Sequence, residues 1–361
     1  MIKKYLFFVF LSISIFIGVQ QQIFPSNQSN VVLYTQLLQF NESINNAYNA
    51  SMIEYDGKYL LTFRHDTEHR LCEICGYKEP QIKMVHLNKK FEQISPIRTI
   101  ELPQETPEDA RIFYWHQKLF LTYNANEEAT SHRHIILKKK KKRNEKIGET
   151  IWQRRIFMGE LNPDTARLAD IKPVPPGNIT LQSIEKNWVP FEFPENSGNL
   201  YYIYSAFPHK IIELCNNGSN KVISDDQIAQ TTYCPWNSSL WGEIRGGTPA
   251  RLIDGVYLTF FHSRKFNTEK KEWFYSMGAY IFKAELPFKI LAITPRPIEH
   301  SDFYTARHRV ENLHVIYPAG FVIENNEKQS LLHVACGEND TSIRIVTIDK
   351  NLLFASMKPI L

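Results

Sequence analysis

Two carboxylates and a guanidinium fall within four residues at Glu108-Asp109-Ala110-Arg111, directly before a largely apolar run from Ile112 to Leu121. A carboxylic acid at a strand mouth can protonate a leaving oxygen, and an adjacent arginine can hold a substrate or compete for the carboxylate. Asp109 is the residue assigned acid chemistry. Burial and the like charge of Glu108 are expected to raise its pKa, and Arg111 would oppose that if the two paired. The competing account makes Asp109 a turn-capping residue or an ordinary partner of Arg111.

One acidic turn does no chemistry unless other segments bring binding groups to it. A turn-plus-strand unit occurs five times, as DGKYLLTFRH from Asp56, HQKLFLTYNA from His116, SGNLYYIYSA from Ser197, DGVYLTFFHS from Asp254 and NEKQSLLHVAC from Asn326. Each copy starts in turn-forming or polar residues, continues as an aliphatic and aromatic strand, and ends in polar side chains. Upstream of each lies a second polar patch: Asn49, Asp109 and Gly247 each stand seven residues before their turn, Asn187 ten before Ser197, and Pro318-Ala319-Gly320 takes the place in the fifth copy. Each unit therefore reads as a β-hairpin with its chemistry at one end.

The unit starts are separated by 60, 81, 57 and 72 residues, enough for about four strands each, with no helix-period segments between them. That pattern predicts an all-β, five-bladed β-propeller, in which radially packed blades bring one end of every inner hairpin to a common axis. A β-sandwich whose turns merely look alike is the alternative. Neither the basic stretch nor the cysteine-flanked stretch described below looks like a linker, so residues 31–361 read as a single domain following a hydrophobic leader and short stem at residues 1–30.

The composition agrees: 361 residues, 43% hydrophobic and 13% aromatic, with 15 Gly and 19 Pro, describe a strand-rich globular chain. A net charge of +4 is small for this length and gives no reason to expect a nucleic-acid partner. Much of it sits in the run Lys138 to Arg143, read as a solvated loop. Behind Lys3 and Lys4, the stretch Tyr5 to Val19 carries no charge; its fifteen residues have the length of a secretory h-region and fall short of the roughly 20 that span a bilayer comfortably. A cleaved signal and an uncleaved signal-anchor both remain open, so the body is expected in the Golgi or ER lumen as a single-pass type II protein, or outside the cell. The membrane is met only through that segment. Seven sequons, at Asn27, Asn41, Asn49, Asn178, Asn217, Asn237 and Asn339, fit the same compartment, as do five cysteines. Cys215 and Cys234 flank a polar insertion and are expected to pair, Cys72 and Cys75 make only a weak zinc motif, and Cys336 is expected as a buried free thiol.

Aligned in order, AYNAS with LLTFRHD, EDARIFYWHQKLFLTYNA, EKNWVPF, RGGTPARLIDGVYLTFFHS, and YSMGAYIF with YPAG and GEND resemble the motifs of the five-bladed propeller enzymes acting on β-mannosides, the mannoside phosphorylases and mannosidases of glycoside hydrolase family 130. The resemblance covers residues 47 to about 350. It implies that Asp109 is the general acid, and that Arg64, Lys186, His262 and Tyr275 line substrate and phosphate subsites. Asn49, Asp66, Glu108, Arg111, Asn187, Arg245 and Asp340 are expected to complete the substrate-binding ring. The reaction is expected to be inverting and without a metal or other cofactor, on a glycan or oligosaccharide, with inorganic phosphate or a nucleotide-sugar as candidate further partners.

Two departures leave the reaction open. Ala110 replaces the proline of the family's Glu-Asp-Pro-Arg motif, and His209-Lys210 lies near where phosphorylases carry an anion-binding arginine. Hydrolysis, phosphorolysis, transfer by a Golgi-type glycosyltransferase on the same propeller, and a glycan-binding propeller without catalysis are the readings carried forward. If the pocket lies at the hairpin mouths, Asn49 and Asn339 are expected to be unglycosylated, and Asn178, Asn217 and Asn237 to carry glycans.

Overall fold

The computed structural model describes residues 30–67, 79–127, 153–193, 199–215, 220–224, 233–326 and 329–360. The expected leader, Cys72 and Cys75, and the Lys138 to Arg143 run lie outside these residues, as do Asn27 and Asn217. After β1 (Val32–Leu37), the first antiparallel meander is β2 (Ala47–Tyr55), β3 (Lys58–Thr67), β4 (Glu79–Leu87) and β5 (Arg98–Thr99). The second is β6 (Glu108–Trp115), β7 (Lys118–Asn126), β8 (Arg154–Asn162) and β9 (Arg167–Pro173), and the third β10 (Val189–Glu192), β11 (Leu200–Ser205), β12 (Lys210–Leu214) and β13 (Lys221–Ser224). A one-turn helix α1 (Ser238–Trp241) precedes β14 (Glu243–Gly246), β15 (Arg251–Ile253), β16 (Val256–Asn267), β17 (Glu272–Lys283) and β18 (Ile290–Ile293). The chain finishes with β19 (Leu313–Asn325), β20 (Ser330–Glu338), β21 (Ser342–Asp349), α2 (Lys350–Ser356) and β22 (Lys358–Pro359).

All five repeated units fall on the hairpin between the first and second long strand of a meander: β2–β3, β6–β7, β10–β11, β15–β16 and β19–β20. Three of these turns place both central residues at positive φ: Asp56-Gly57, Asp254-Gly255 and, without glycine, His116-Gln117. That is the backbone of the tight hairpin turn whose twist matches the flanking strands.

Among the described residues the sheets are four, not five. Three meanders stand as separate four-stranded sheets, while the last two share one ten-stranded sheet. The cause is the length of β17, whose first residues run in parallel register with β19, Trp273 to Tyr275 against Leu313 to Val315. The N-terminal strand β1 pairs antiparallel with β21 and so completes the last meander from the start of the chain. A fully buried ion pair, Arg344 Nε to Glu338 Oε2 at 2.6 Å, fastens that closure, because the same guanidinium donates to Thr35 on β1 at 2.8 Å and to Thr305 at 3.0 Å.

Apolar faces are buried between neighbouring meanders. Ile53, Leu60, Ala110, Ile112 and Leu121 fill the space between the first and second. An aromatic group of Phe191, Tyr201, Tyr257, Phe282 and Phe288 joins the third to the fourth, with ring centroids about 5 to 6 Å apart. Strand β2 packs on β6, β6 on β10, β11 on β14, β16 on β19, and β19 back on β2.

Cys336 is a buried free thiol, as expected. Cys215 and Cys234 are unbridged, contrary to the expectation from their flanking positions. Cys215 follows the outer part of the third meander, where its N–H donates to Asn220 Oδ1 at 3.0 Å, whereas Cys234 packs on the aromatic group. Position in sequence around an insertion did not bring their side chains together.

Candidate active site

The first strands of the first, second, fourth and fifth meanders are interrupted at the residues singled out for chemistry. Ladder registers slip between Tyr48 and Ser51, Glu108 and Arg111, and Pro318 and Gly320. In the fourth meander, Gly247 to Ala250 separates β14 from β15, although both pair with β16. Asn49 (φ 51°), Asp109 (φ 53°) and, just before β10, Asn187 (φ 64°) occupy the left-handed region. Asn and Asp are the non-glycine residues that tolerate it best, at a cost of roughly 1 kcal/mol or more each. Such a bulge turns the side chain out of the sheet's alternation. At the fourth and fifth mouths, close approach decides instead. A Cβ on Gly247 would stand 2.3 Å from the Phe260 carbonyl oxygen, and one on Gly337 would stand 2.1 Å from Asn49 Oδ1.

The turned-out groups meet across meanders. Asn49 donates to Asp109 Oδ1 at 2.8 Å. Glu108, one residue earlier, gathers Arg64 from the first meander at 3.2 Å, Arg154 from β8 at 2.8 Å and Lys186 from the third at 2.7 Å. Arg64 also forks onto Asp66 at 2.8 and 3.3 Å, and Asp66 accepts from Tyr48 at 2.8 Å and from Arg309. Arg111 is buried and donates to the Asp109 carbonyl at 2.9 Å, the Gly247 carbonyl at 2.5 Å and the Tyr317 hydroxyl at 2.8 Å. Tyr317 in turn donates to Asn187 Oδ1 at 2.8 Å, so one guanidinium and one phenol link the second, third, fourth and fifth meanders.

His262 lies beside this pin, its ring 4.5 Å from Tyr317 and stacked at 5.9 Å with Tyr275. Burial, with the nearby Arg111 and Arg245 charges, pushes its pKa down to about 3, so the imidazole is neutral at physiological pH. Its buried Nδ1 has no protein hydrogen-bond partner.

The two carboxyls at the heart of the cluster behave oppositely. Burial acts to raise the Asp109 pKa, but Lys186, Arg64 and Arg111, with the Asn49 hydrogen bond, outweigh it and hold the group below the usual carboxylate range. The expected upward shift is therefore corrected: the acidic neighbour Glu108 is itself wrapped by three cations and supplies no dominant repulsion. Asp340, in the β20–β21 turn, is pushed up to about 6, by burial first and then by Asp109 and Asp66, against the pull of Arg64 and Arg309.

Of the residues marked from sequence, Asn49, Arg64, Asp66, Glu108, Asp109, Arg111, Lys186 and Asn187 form one connected set. His262, Tyr275 and Asp340 adjoin it. Arg245 pairs in the ladder with His262, but its side chain is 42% exposed and reaches Glu243 at 3.6 Å. His209 does not join the set: it packs edge-on against Tyr280 and Phe282, and burial takes its pKa down to about 4. Lys210 is the first residue of β12, opposite Ser224. Ala110 is fully buried between the first two meanders, and the bulge at Asp109 forms without the proline.

Arg154, Arg309 and Tyr317 were not picked out from sequence. Arg154 opens the third strand of its meander rather than a repeated hairpin, Arg309 lies in the segment before β19, and Tyr317 directly precedes the Pro-Ala-Gly patch. Only the last carried a positional signal.

No protein-family model matches the sequence, and no curated protein does. Solved structures do. A mannose phosphorylase from Leishmania mexicana, in complex with a phosphate ion, superposes with TM-score 0.57 at 12% identity, over 92% of each chain. A β-1,2-mannobiose phosphorylase from Listeria innocua gives 0.54 at 13%, over 93% of this chain and 95% of that one. A GDP-Man-dependent mannosyltransferase from Leishmania mexicana gives 0.51 at 13%, over 89% and 90%. This chain is all-β and has the fold of these mannose-active enzymes, in accord with the resemblance read from its motifs.

Proposed function

We propose that this protein is a carbohydrate-active enzyme built as a five-bladed β-propeller, which cleaves or transfers β-linked mannose or a similar hexose by an inverting, metal-independent reaction. The observation that carries the reading is the Asp109 carboxyl, lifted out of its strand, oriented by Asn49 and set in a field of Lys186, Arg64 and Arg111. An inverting cleavage needs a proton donor on the leaving oxygen and a nucleophile on the opposite face of the sugar. Asp109 is the donor in this scheme. An apo carboxyl held ionised becomes a competent acid when an anionic co-substrate neutralises the surrounding cations, because their pull is what depresses its pKa. That requirement favours phosphorolysis, or transfer from a nucleotide-sugar, over simple hydrolysis.

A place in the secretory pathway is part of the proposal. Its support is the leader pattern and the sequons, of which Asn41, Asn178 and Asn237 are exposed. Asn49 and Asn339 are buried, and their Nδ2 atoms donate to Asp109 and to the Ala306 carbonyl, which leaves no room for a glycan in the folded chain.

Incubating the full chain with β-mannosides, with and without inorganic phosphate, and separately with GDP-mannose plus a mannoside acceptor, tests the reading. Mannose 1-phosphate, or an extended acceptor, is the expected product. Sugar binding without turnover in every arm, and unchanged by Asp109→Asn, would leave a glycan-binding protein in its place.

A further inference from the structure

A groove of about 620 Å³ lies between the first two meanders at the end opposite the Asp109 cluster, lined by Tyr55, Tyr114, Gln117, Asn162, Asp164 and Arg167 among others. Tyr114 is five residues beyond Asp109 on β6, about 16 Å along an extended strand, so the groove and the cluster do not overlap. We propose that this groove is a second carbohydrate site, which holds a short uncharged oligosaccharide without reacting on it.

The lining argues for that ligand class. Tyr114 is 36% exposed, and its hydroxyl donates to the Glu54 carbonyl at 3.0 Å, which fixes the ring at the groove wall. Tyr55 ends the neighbouring strand β2 beside it, its ring 6.2 Å from that of His86. Fixed tyrosine faces suit the C–H surface of a pyranose and lose little side-chain freedom on binding. The far wall is the β8–β9 turn. There Asn162 Oδ1 accepts the N–H groups of Asp164 and Thr165, both at 3.0 Å, holding the turn rigid. Its outward groups are an amide, a hydroxyl, a carboxylate and a guanidinium. Sugar hydroxyls both donate and accept, and this mixture answers both needs.

Charge gives the same answer. Lys118 is matched by Glu160 at 2.8 Å on one wall, and Asp164 and Arg167 offer one charge of each sign on the other, so nothing selects an anion. That contrasts with the cation-rich Asp109 cluster. The choice of a manno-oligosaccharide rests on the function proposed above; the binding of a neutral oligosaccharide does not.

Titration calorimetry of the full-length Asp109→Asn chain with a β-manno-oligosaccharide, and in parallel with a cello-oligosaccharide, tests the site. Two binding events per chain are expected. Ala169→Trp, which adds bulk at an exposed lining position, should remove one of them, and Tyr114→Ala should weaken the same one at least tenfold. In the otherwise wild-type chain, Ala169→Trp should leave kcat on a short substrate unchanged, with an unaltered melting temperature. A single binding event, or two that both survive Ala169→Trp and Tyr114→Ala, would overturn the proposal. Groove binding of the cello-oligosaccharide alone would keep the site and reject mannose as its ligand. Absence of turnover in the wild type would count against the function proposed above while leaving the groove's titration intact.

Discussion

The mouths of the second and fifth meanders offer carboxyls to the same space under opposite electrostatics. At the second mouth Asp109 is buried, hydrogen-bonded by Asn49 and surrounded by cations, and it stays ionised. At the fifth, Asp340 is pushed up to about 6 despite the pull of Arg64 and Arg309. Both are desolvated, so burial cannot be what separates them. What differs is how many cations face each carboxyl, and whether a neutral donor orients it. Lys186 and Arg111 act on Asp109, whereas Asp340 meets two further carboxylates. Environments that drive two pKa values apart give the two carboxyls different roles.

The sharpest way to break that comparison is to neutralise each carboxyl in turn. Asp109→Asn should lower kcat on a β-mannoside about 10³-fold or more, the scale of a lost general acid, with substrate binding retained. Asp340→Asn should cost distinctly less. A larger loss from Asp340→Asn would transfer the acid role to the fifth mouth.

Next in size is the pin that holds the second mouth against its neighbours. Arg111→Met leaves the Gly247 carbonyl and the Tyr317 hydroxyl without their buried donor, and should cost about 4 kcal/mol in urea denaturation. Stability within 1 kcal/mol of wild type would mean that apolar packing alone sets the Asp109 position.

The two carboxyls should also leave opposite marks on the pH dependence of stability. Below about pH 4, Asp340 is protonated in both folded and unfolded chains and contributes nothing. Between about pH 4 and 6 the folded chain keeps a proton that the unfolded chain has released, so stability falls as pH rises; above about 6 the penalty is complete, up to about 3 kcal/mol. Asp340→Asn should therefore melt higher than wild type at pH 7.5 and like it at pH 4. Asp109, with its depressed pKa, stabilises the fold above the usual carboxylate pKa and loses that contribution as pH falls through its own value. Asp109→Asn should accordingly melt lower than wild type at pH 7.5. Matching melting curves for the two variants across this range would erase the distinction.

The smallest effect is expected at Arg245, whose exposed head pairs weakly with Glu243. Arg245→Gln should change the KM for phosphate or donor by no more than about fivefold, the worth of an exposed ion pair. A much larger loss would move the anion-binding centre from Lys186 and Arg64 towards the fourth mouth.

Much of this arrangement could be read before any coordinates. Asp56-Gly57 and Asp254-Gly255 announce tight turns, the apolar strands after them announce hairpins, and Asn49, Asp109, Asn187 and Gly247, seven or ten positions upstream of their turns, mark the mouths, because turn chemistry and strand composition act over a few residues. Asn49, Asp109 and Asn187 were findable for the same local reason: short polar side chains suit the left-handed bulges they occupy. Arg154 and Arg309 were not, since nothing in their own neighbourhoods distinguishes them from surface arginines. Only the folded chain brings the one to Glu108 and the other to Asp66. The pairing of Cys215 with Cys234 failed for the converse reason, as nearness along an insertion does not bring two side chains together. The direction of the Asp109 shift was likewise decided by the tertiary structure, because it is the balance of charges from three meanders that lie far apart in sequence, and Coulomb sums depend on distances that periodicity does not encode.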